Sequence, residues 1–181
     1  MRKFYIIPLN IGTLAGLLSF ALYMGLYALG KSPLTDWRYV GIWIPAFFIF
    51  FAIRRIKSES EDQRITFGRA FYTGMLTVLV MASLKSILIY LTMSLTGEGI
   101  IDQYFAELER VKQQMLDEGQ PLLPLMNDLE GLRKQFDARM VSILEFNMQV
   151  FGGLVLSLIT AAFMFSRKKP GNETPAESSV D

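Results

Sequence analysis

Long apolar runs restrict the fold of this chain more than any other feature of its sequence. One of them follows Arg69 and continues to Leu95 with a single formal charge, Lys85, inside it. About 20 apolar residues in a helix cross the ~30 Å hydrocarbon core of a bilayer. Comparable runs elsewhere predict four membrane-spanning helices, at about residues 5–29, 39–54, 67–92 and 140–165. The predicted fold is an all-α membrane protein with its four transmembrane helices arranged as two hairpins.

The first two predicted spans each allow a second interpretation. Ala28-Leu29-Gly30 resembles a signal-peptide cleavage site, but the apolar run before it far exceeds the roughly 7–15 apolar residues of a signal peptide. We therefore expect a retained first span. The second span is short for a full crossing, and it contains Pro45, which we expect to kink the helix. Trp37, Tyr39 and Trp43 mark its outer boundary, because such aromatic side chains favour the headgroup region.

The polar segment at 98–139 carries two apolar stripes at helical spacing. The first comprises Ile101, Tyr104, Phe105, Leu108, Val111 and Met115, and the second comprises Leu125, Leu129, Leu132, Phe136 and Met140. Gly119 is expected to end the first helix. We expect an amphipathic helical hairpin between spans three and four, whose second helix continues without a break into the fourth span. Residues 1–169 then form one integral membrane domain, and residues 170–181 form a disordered cytoplasmic tail.

Basic residues are distributed unequally between the two sides of this arrangement. The side that holds both termini carries most of them: Arg2, Lys3, Arg54, Arg55, Lys57, Arg64, Arg69, Arg167, Lys168 and Lys169. The short loop on the other side has only Lys31 and Arg38, and in the long loop acids outnumber bases. Lysine and arginine near span ends favour the cytoplasmic side. We therefore expect a multi-pass membrane protein with both termini cytoplasmic and an extracytoplasmic hairpin.

The composition excludes several kinds of chemistry. The chain has no cysteine and no histidine, which rules out disulfides, thiolate catalysis and metal or haem ligation through these side chains. No nucleophile-elbow or phosphate-loop motif occurs. A net charge of +1 provides no basic field that would attract nucleic acid. We expect no enzyme, no cofactor and no metal, and we expect the lipid bilayer as the main partner.

Lys85 is the first candidate for a functional residue. A lysine at the centre of a bilayer costs about 2.5–3.5 kcal/mol on insertion scales, so it needs a partner or access to the headgroups. Glu145 has a similar expected depth in the fourth span, and we hypothesise an intramembrane Lys85–Glu145 ion pair. The alternative is that Lys85 extends separately to the outer headgroups. Asn147 and Gln149, with Ser83, Ser86 and Thr92, would either line a small wet cavity or hydrogen-bond between helices.

Two further sets of residues are candidates for packing and lipid contact. Small residues allow close approach of membrane helices, and the candidates are Gly12, Gly16, Gly74, Gly153 and Ser157. At the cytoplasmic ends, clustered basic residues are candidates for contact with anionic lipid headgroups, namely Arg54, Arg55, Lys57 and Arg69. For Arg69, simple positive-inside anchoring is the alternative.

Several motifs together resemble one known family. They are Ile-Thr-Phe-Gly-x-Ala-Phe-x-x-Gly at 65–74, Leu-Glu-x-x-Lys-x-x-Met-Leu-x-x-Gly at 108–119, and Gly152-Gly153 followed by a terminal Arg-Lys-Lys. In these features the chain is similar to the bacterial domain of unknown function 4199 family, small four-span membrane proteins, over essentially residues 2–169. The turn at 121–124 departs from the more charged connection often found there. The resemblance implies the fold, but it implies no activity and no site residues.

Three functions remain open from the sequence. The leading hypothesis is a structural or interaction protein of the membrane, whose outer hairpin mediates self-association or binds a membrane-protein partner. The alternative is a small transporter or channel component that uses an intramembrane polar site at Lys85 and Glu145. An enzyme is the least favoured of the three, because the sequence lacks nucleophile and metal-ligand motifs.

Overall fold

The computed structural model describes residues 2–35, 41–60, 64–122 and 124–165. Across these ranges every regular element is helical, so the predicted all-α class is confirmed. The helices are α1 (Arg2–Ala28), α2 (Trp43–Ser58), α3 (Phe67–Thr96), α4 (Gly99–Asp117), α5 (Leu129–Gln135) and α6 (Ala138–Met164), with a 3₁₀ turn at Pro124–Met126. The tail predicted to be disordered, 170–181, and residues 39 and 40 of the predicted second span lie outside the described residues.

Three described helices, α1 from Phe4 onward, α3 and α6, are long and apolar enough to cross a membrane, where the sequence predicted four. These apolar helices identify a membrane protein. The remaining one, α2, has 16 residues, or about 24 Å at a rise of 1.5 Å per residue. It begins only at Trp43, so that Pro45 lies in its first turn, where backbone N–H groups have no partner within the helix. Pro45 therefore lies at the start of α2, and the prediction that it kinks the middle of a span is wrong.

The central helix is α3, which packs along both α1 and α6, while α2 contacts all three. α1 approaches α3 most closely at Gly12 and Gly16. A Cβ atom added at Gly12 would lie 2.7 Å from the carbonyl oxygen of Thr77, and one at Gly16 would lie 3.1 Å from that of Met81. From the first contact to the second, the residue number increases by four on both α1 and α3, so these two helices run parallel.

The contact between α3 and α6 also depends on small residues. A Cβ added at Gly74 would lie 2.7 Å from Ser157 Oγ, and one at Gly153 would clash with the side chain of Val78. From the first contact to the second, the residue number increases by four on α3 and decreases by four on α6, so these two helices are antiparallel. Around these contacts lies a buried cluster contributed by α1, α2, α3, α6 and Ile65, comprising Ala15, Ile49, Ile53, Ile56, Ile65, Ala70, Val78, Met81 and Ala161.

The hairpin formed by α4 and α5 packs over one end of the bundle. Its apolar residues join a second buried cluster, composed of Tyr23, Leu34, Ile89, Met93, Ile100, Ile101, Phe105 and Val141. Tyr104, Leu108, Leu132 and Phe136 pack against this cluster. Most of the two stripes seen in the sequence is therefore covered by the protein itself.

The helix break before α6 differs from the sequence prediction. We expected the second stripe to continue as one helix into the last span, but α5 ends at Gln135 and α6 begins at Ala138. Asp137, between them, has an extended backbone, and its carboxylate accepts a 2.6 Å hydrogen bond from the backbone N–H of Met140. An aspartate at this N-cap position satisfies a backbone donor that would otherwise lack a partner. The cap starts a new helix without interrupting the spacing of the apolar residues.

Candidate functional site

The structure brings together Lys85 of α3 and Glu145 of α6. Lys85 Nζ donates a 2.7 Å hydrogen bond to Glu145 Oε2, and the two side chains are 15% and 8% exposed. The antiparallel register set by Val78 and Gly153 places these residues opposite each other. Each charge compensates the other at a depth where an unpaired charge would be strongly unfavourable.

The position of the ammonium group also decides between the two arrangements considered for Lys85. It lies 5.4 Å from the centre of the Tyr23 ring in α1, within the range of a cation–π contact. Beyond Lys85, α3 continues to Thr96, which adds about 16 Å at 1.5 Å per residue. The side chain is thus held between α1 and α6 and does not extend to the end of its own helix.

A cavity of about 430 Å³ lies beside the ion pair, between α1, the start of α2, α3 and α6. Apolar side chains form most of its wall, among them Leu22, Leu26, Ile42, Ile44, Met148 and Leu156. The polar side chains that line it include Ser19, Lys85, Glu145 and Gln149. Ligand sites are commonly clefts of this size, apolar with a few placed polar groups. The cavity is therefore the candidate functional site.

Two polar atoms at the cavity have no hydrogen-bond partner within the described ranges, Ser19 Oγ and Gln149 Oε1. Ser19 is 8% exposed, and its position three residues after Gly16 places it level with Lys85 on the parallel helix α3. Gln149 lies one helical turn from Glu145 on α6. A buried polar group without a partner costs about 1–3 kcal/mol. Both atoms are inaccessible to water in this arrangement, so a polar molecule in the cavity bonds to them only if their side chains change rotamer.

Of the other polar residues that the sequence placed near the pair, only Gln149 lines the cavity. Within α3, Ser86 donates a hydrogen bond to the carbonyl of Ser83, and Thr96 donates one to the carbonyl of Thr92. Asn147 is exposed. The Ser86 hydroxyl therefore bonds within its own helix, and Ser83 and Thr92 take part in these bonds through their backbone carbonyls.

The contribution of α1 to the site was missed in the sequence analysis. Gly12, Gly16, Ser19 and Tyr23 recur every three or four residues, which places them on one helical face. The first two contact α3, and the last two lie beside Lys85 at the cavity. This spacing was the available signal, because a polar residue that continues a glycine packing face must also meet the neighbouring helix.

The four basic residues assigned to lipid headgroups have different surroundings. Lys57 Nζ donates a 3.2 Å hydrogen bond to the carbonyl of Met164, the last residue of α6. The guanidinium of Arg55 lies 3.4 Å from Glu59, and that of Arg69 lies 4.9 Å from the centre of the Phe4 ring. Arg54 is exposed. Lys57 thus has a structural contact that its proposed lipid role did not anticipate.

Outside the bundle, Arg133 connects α5 to the start of α4 within the hairpin. Its guanidinium lies 2.6 Å from Asp102 Oδ1 and 3.0 Å from Glu98 Oε2. The hydrogen bond to Asp102 is the largest cause that raises the pKa of Arg133 above its ordinary value, and burial opposes the shift. Among the residues that the structure describes, no group of three or more acidic side chains could hold a metal ion.

The family resemblance noted in the sequence lies at the beginning of α3. There Thr66 caps the helix by accepting a hydrogen bond from the backbone N–H of Arg69, while Ile65 and Ala70 are buried. Residues 10–166 match a known protein family, which is described as "Protein of unknown function (DUF4199)". Neither a curated protein nor a solved structure matches the chain. Because the match covers most of the chain and includes the cavity and its ion pair, the protein belongs to the DUF4199 family.

Proposed function

We propose that this protein is a non-enzymatic membrane protein that binds a small molecule in the cavity beside Lys85 and Glu145, as a small transporter or channel component. The cavity carries this proposal. It is a half-open cleft of about 430 Å³ between helices, and its wall contains the paired Lys85 and Glu145 together with Ser19 and Gln149. Ionisable residues within membrane helices are typical of substrate and ion pathways.

The proposed topology has four spans, with α2 as the short second one and both termini in the cytoplasm of a bacterial inner membrane. Its support is that α2 contacts α1, α3 and α6, with Trp43 at one end and Arg54 and Arg55 near the other. Reporter fusions test the orientation. A fluorescent protein after Asp181 should fluoresce in the cytoplasm, and alkaline phosphatase inserted after Gln120 should be active. An inactive phosphatase at Gln120 would reject the topology.

Native mass spectrometry in a mild detergent tests the binding function. The wild-type protein should retain small-molecule adducts from its host membrane, and the double variant Lys85→Met/Glu145→Leu should retain fewer of them while keeping its helicity, because apolar side chains replace both charged groups of the cavity wall. A matched control removes the ion pair between Arg55 and Glu59, which lies outside the cavity, as Arg55→Met/Glu59→Leu. Equal adducts in all three proteins would contradict the proposal.

Self-association through the hairpin is the second candidate function. It is favoured by Val111 and Leu116, which are 36% and 54% exposed on the part of α4 beyond the buried cluster. The hairpin offers less apolar surface than its sequence suggested, since most of both stripes is buried within the chain. The same mass measurement distinguishes the two functions: a dimer that dissociates in Val111→Asp/Leu116→Asp would support association. A monomer in the wild type would argue against it.

A further inference from the structure

On the basis of the proposed binding function, we infer that the cavity takes an uncharged amphiphile: an apolar body with one polar head that both donates and accepts hydrogen bonds. The inference concerns the class of ligand and the side from which it enters. Three properties of the cavity support it, namely its net charge, its hydrogen-bonding groups and the side chains at its opening.

The net charge of the cavity wall disfavours a charged ligand. Among the lining residues that the structure describes, Lys85 is the cation and Glu145 the anion, and the 2.7 Å bond between them leaves these residues with no net charge. A cationic ligand would compete with Lys85 for the carboxylate, and an anionic one would compete with Glu145 for the ammonium group. In either case one buried charge would lose its partner, which is strongly unfavourable. An uncharged ligand leaves the pair intact.

The polar atoms beside the pair require a head that both donates and accepts. Gln149 Oε1 is an acceptor and can only receive a hydrogen bond, whereas the Ser19 hydroxyl can donate or receive one. Neither atom has a partner in the described part of the chain. Both lie at or within one turn of the level of Lys85 and Glu145. Both atoms are inaccessible to water in this arrangement, so a hydroxyl head near this level bonds to them after each side chain changes rotamer, and the ion pair stays intact.

The remaining wall fits an apolar body and a route from the bilayer. Ile42, Met148 and Val155 line the cavity, and each is about half exposed. These side chains belong to the start of α2 and to α6, a helix long and apolar enough to span a membrane. Because apolar residues border the opening, a lipid-soluble molecule reaches the site without crossing a polar surface.

Three probes with the same ten-carbon chain test the inference: 1-decanol, decanoate and decylammonium. Binding of each radiolabelled probe is measured by equilibrium dialysis at pH 8 against the full-length protein in nanodiscs, with empty discs subtracted. Decanol should bind saturably at one site and at least tenfold more tightly than either ion. Ser19→Ala, which removes the hydroxyl, should weaken decanol binding about three- to tenfold.

Cavity-filling variants identify the site. A Cβ atom added at Gly152, which lines the cavity, would meet no atom within 4 Å, and the same is true of Gly25 outside it. Gly152→Leu should therefore weaken decanol binding at least tenfold, and Gly25→Leu should leave it unchanged. Val155→Phe, at the exposed opening, is a second filling variant if Gly152→Leu does not fold.

The outcomes separate the ligand class from the site itself. If decanoate or decylammonium binds as tightly as decanol and the filling variants abolish that binding, the uncharged class is wrong and the proposed binding site stands. If no probe binds in a manner sensitive to either filling variant, both the inference and the proposed function are contradicted.

Discussion

Lys85 Nζ and Glu145 Oε2 form a 2.7 Å hydrogen bond across the contact between α3 and α6, although the two residues are 60 positions apart in the chain. A shift of either helix by one turn would separate the two charges by about 5 Å and leave both buried. The pair therefore specifies one register between the helices. In this respect it complements the glycine contacts, which set how closely the helices approach.

Removal of one member of this pair should be worse than removal of both. Lys85→Met leaves the carboxylate of Glu145 buried without its cation, and such a change typically costs about 3–5 kcal/mol. In Lys85→Met/Glu145→Leu no charge remains, so most of that stability should return. Reversible unfolding in detergent measures the free energies of unfolding of the wild type, of Lys85→Met, of Glu145→Leu and of the double variant. If the loss in the double variant equals the sum of the two single losses, the side chains are not coupled.

The sequence predicted the ion pair because helix lengths and chain direction are enough to place Lys85 and Glu145 at a similar depth in the membrane. It offered a small wet cavity beside the pair as one of two alternatives, but it did not predict that α1 and the start of α2 form part of the wall, which depends on the register between α1 and α3 and on where α2 begins. Gly12 and Gly16 indicated a close contact, but they did not identify α3 as the partner. The aromatic residues before Trp43 continue the apolar run, so hydropathy alone extended the second span beyond the start of α2.

The helix break at Asp137 was missed for a different reason. Leu132, Phe136 and Met140 keep a four-residue spacing across it, so the apolar pattern continues where the backbone does not. The cap residue lies off the stripe and is exposed, and periodicity does not detect it. By contrast, the end of α4 was predicted from Gly119, whose positive φ of 66° after the helix favours glycine.

Alanine substitutions at two glycines should differ in whether they can be rescued. At Gly153 the added Cβ clashes with the side chain of Val78, whereas at Gly12 it lies 2.7 Å from a backbone oxygen. Each substitution should destabilise the fold by about 1–3 kcal/mol. Val78→Ala should restore part of the stability of Gly153→Ala, because the clashing atoms are removed. The added Cβ at Gly12 would also lie close to Val80, but Val80→Ala should not rescue Gly12→Ala, since the carbonyl oxygen of Thr77 remains. Thermal unfolding of the two glycine variants and of the two double variants tests this difference.

Arg133 should stabilise the hairpin locally and at every pH near neutrality. Its pKa is raised in the folded state, so its contribution is complete below the ordinary arginine pKa and is lost only as the pH rises through the raised value. Because the site is partly exposed, Arg133→Ala should cost at most about 1 kcal/mol of global stability. Amide exchange in α5 should nevertheless accelerate at pH 7. Lys134→Ala, at an exposed neighbour, is the control, and equal exchange in both variants would contradict the role of Arg133.

Lys57 should act at the end of α6 more than at the lipid surface. Its ammonium group binds the carbonyl of Met164, where the partial negative charge of a helix C-terminus makes a cation favourable by about 0.3–1 kcal/mol. Lys57→Met should therefore accelerate amide exchange in the last turn of α6, which mass spectrometry of the peptide 155–165 would resolve. Arg54→Met, at an exposed position, should leave that exchange unchanged but reduce the stabilisation that anionic lipid gives in nanodiscs. If Lys57→Met reduces only the lipid effect and leaves the exchange of α6 unchanged, its contact is with headgroups and the helix-end role is wrong.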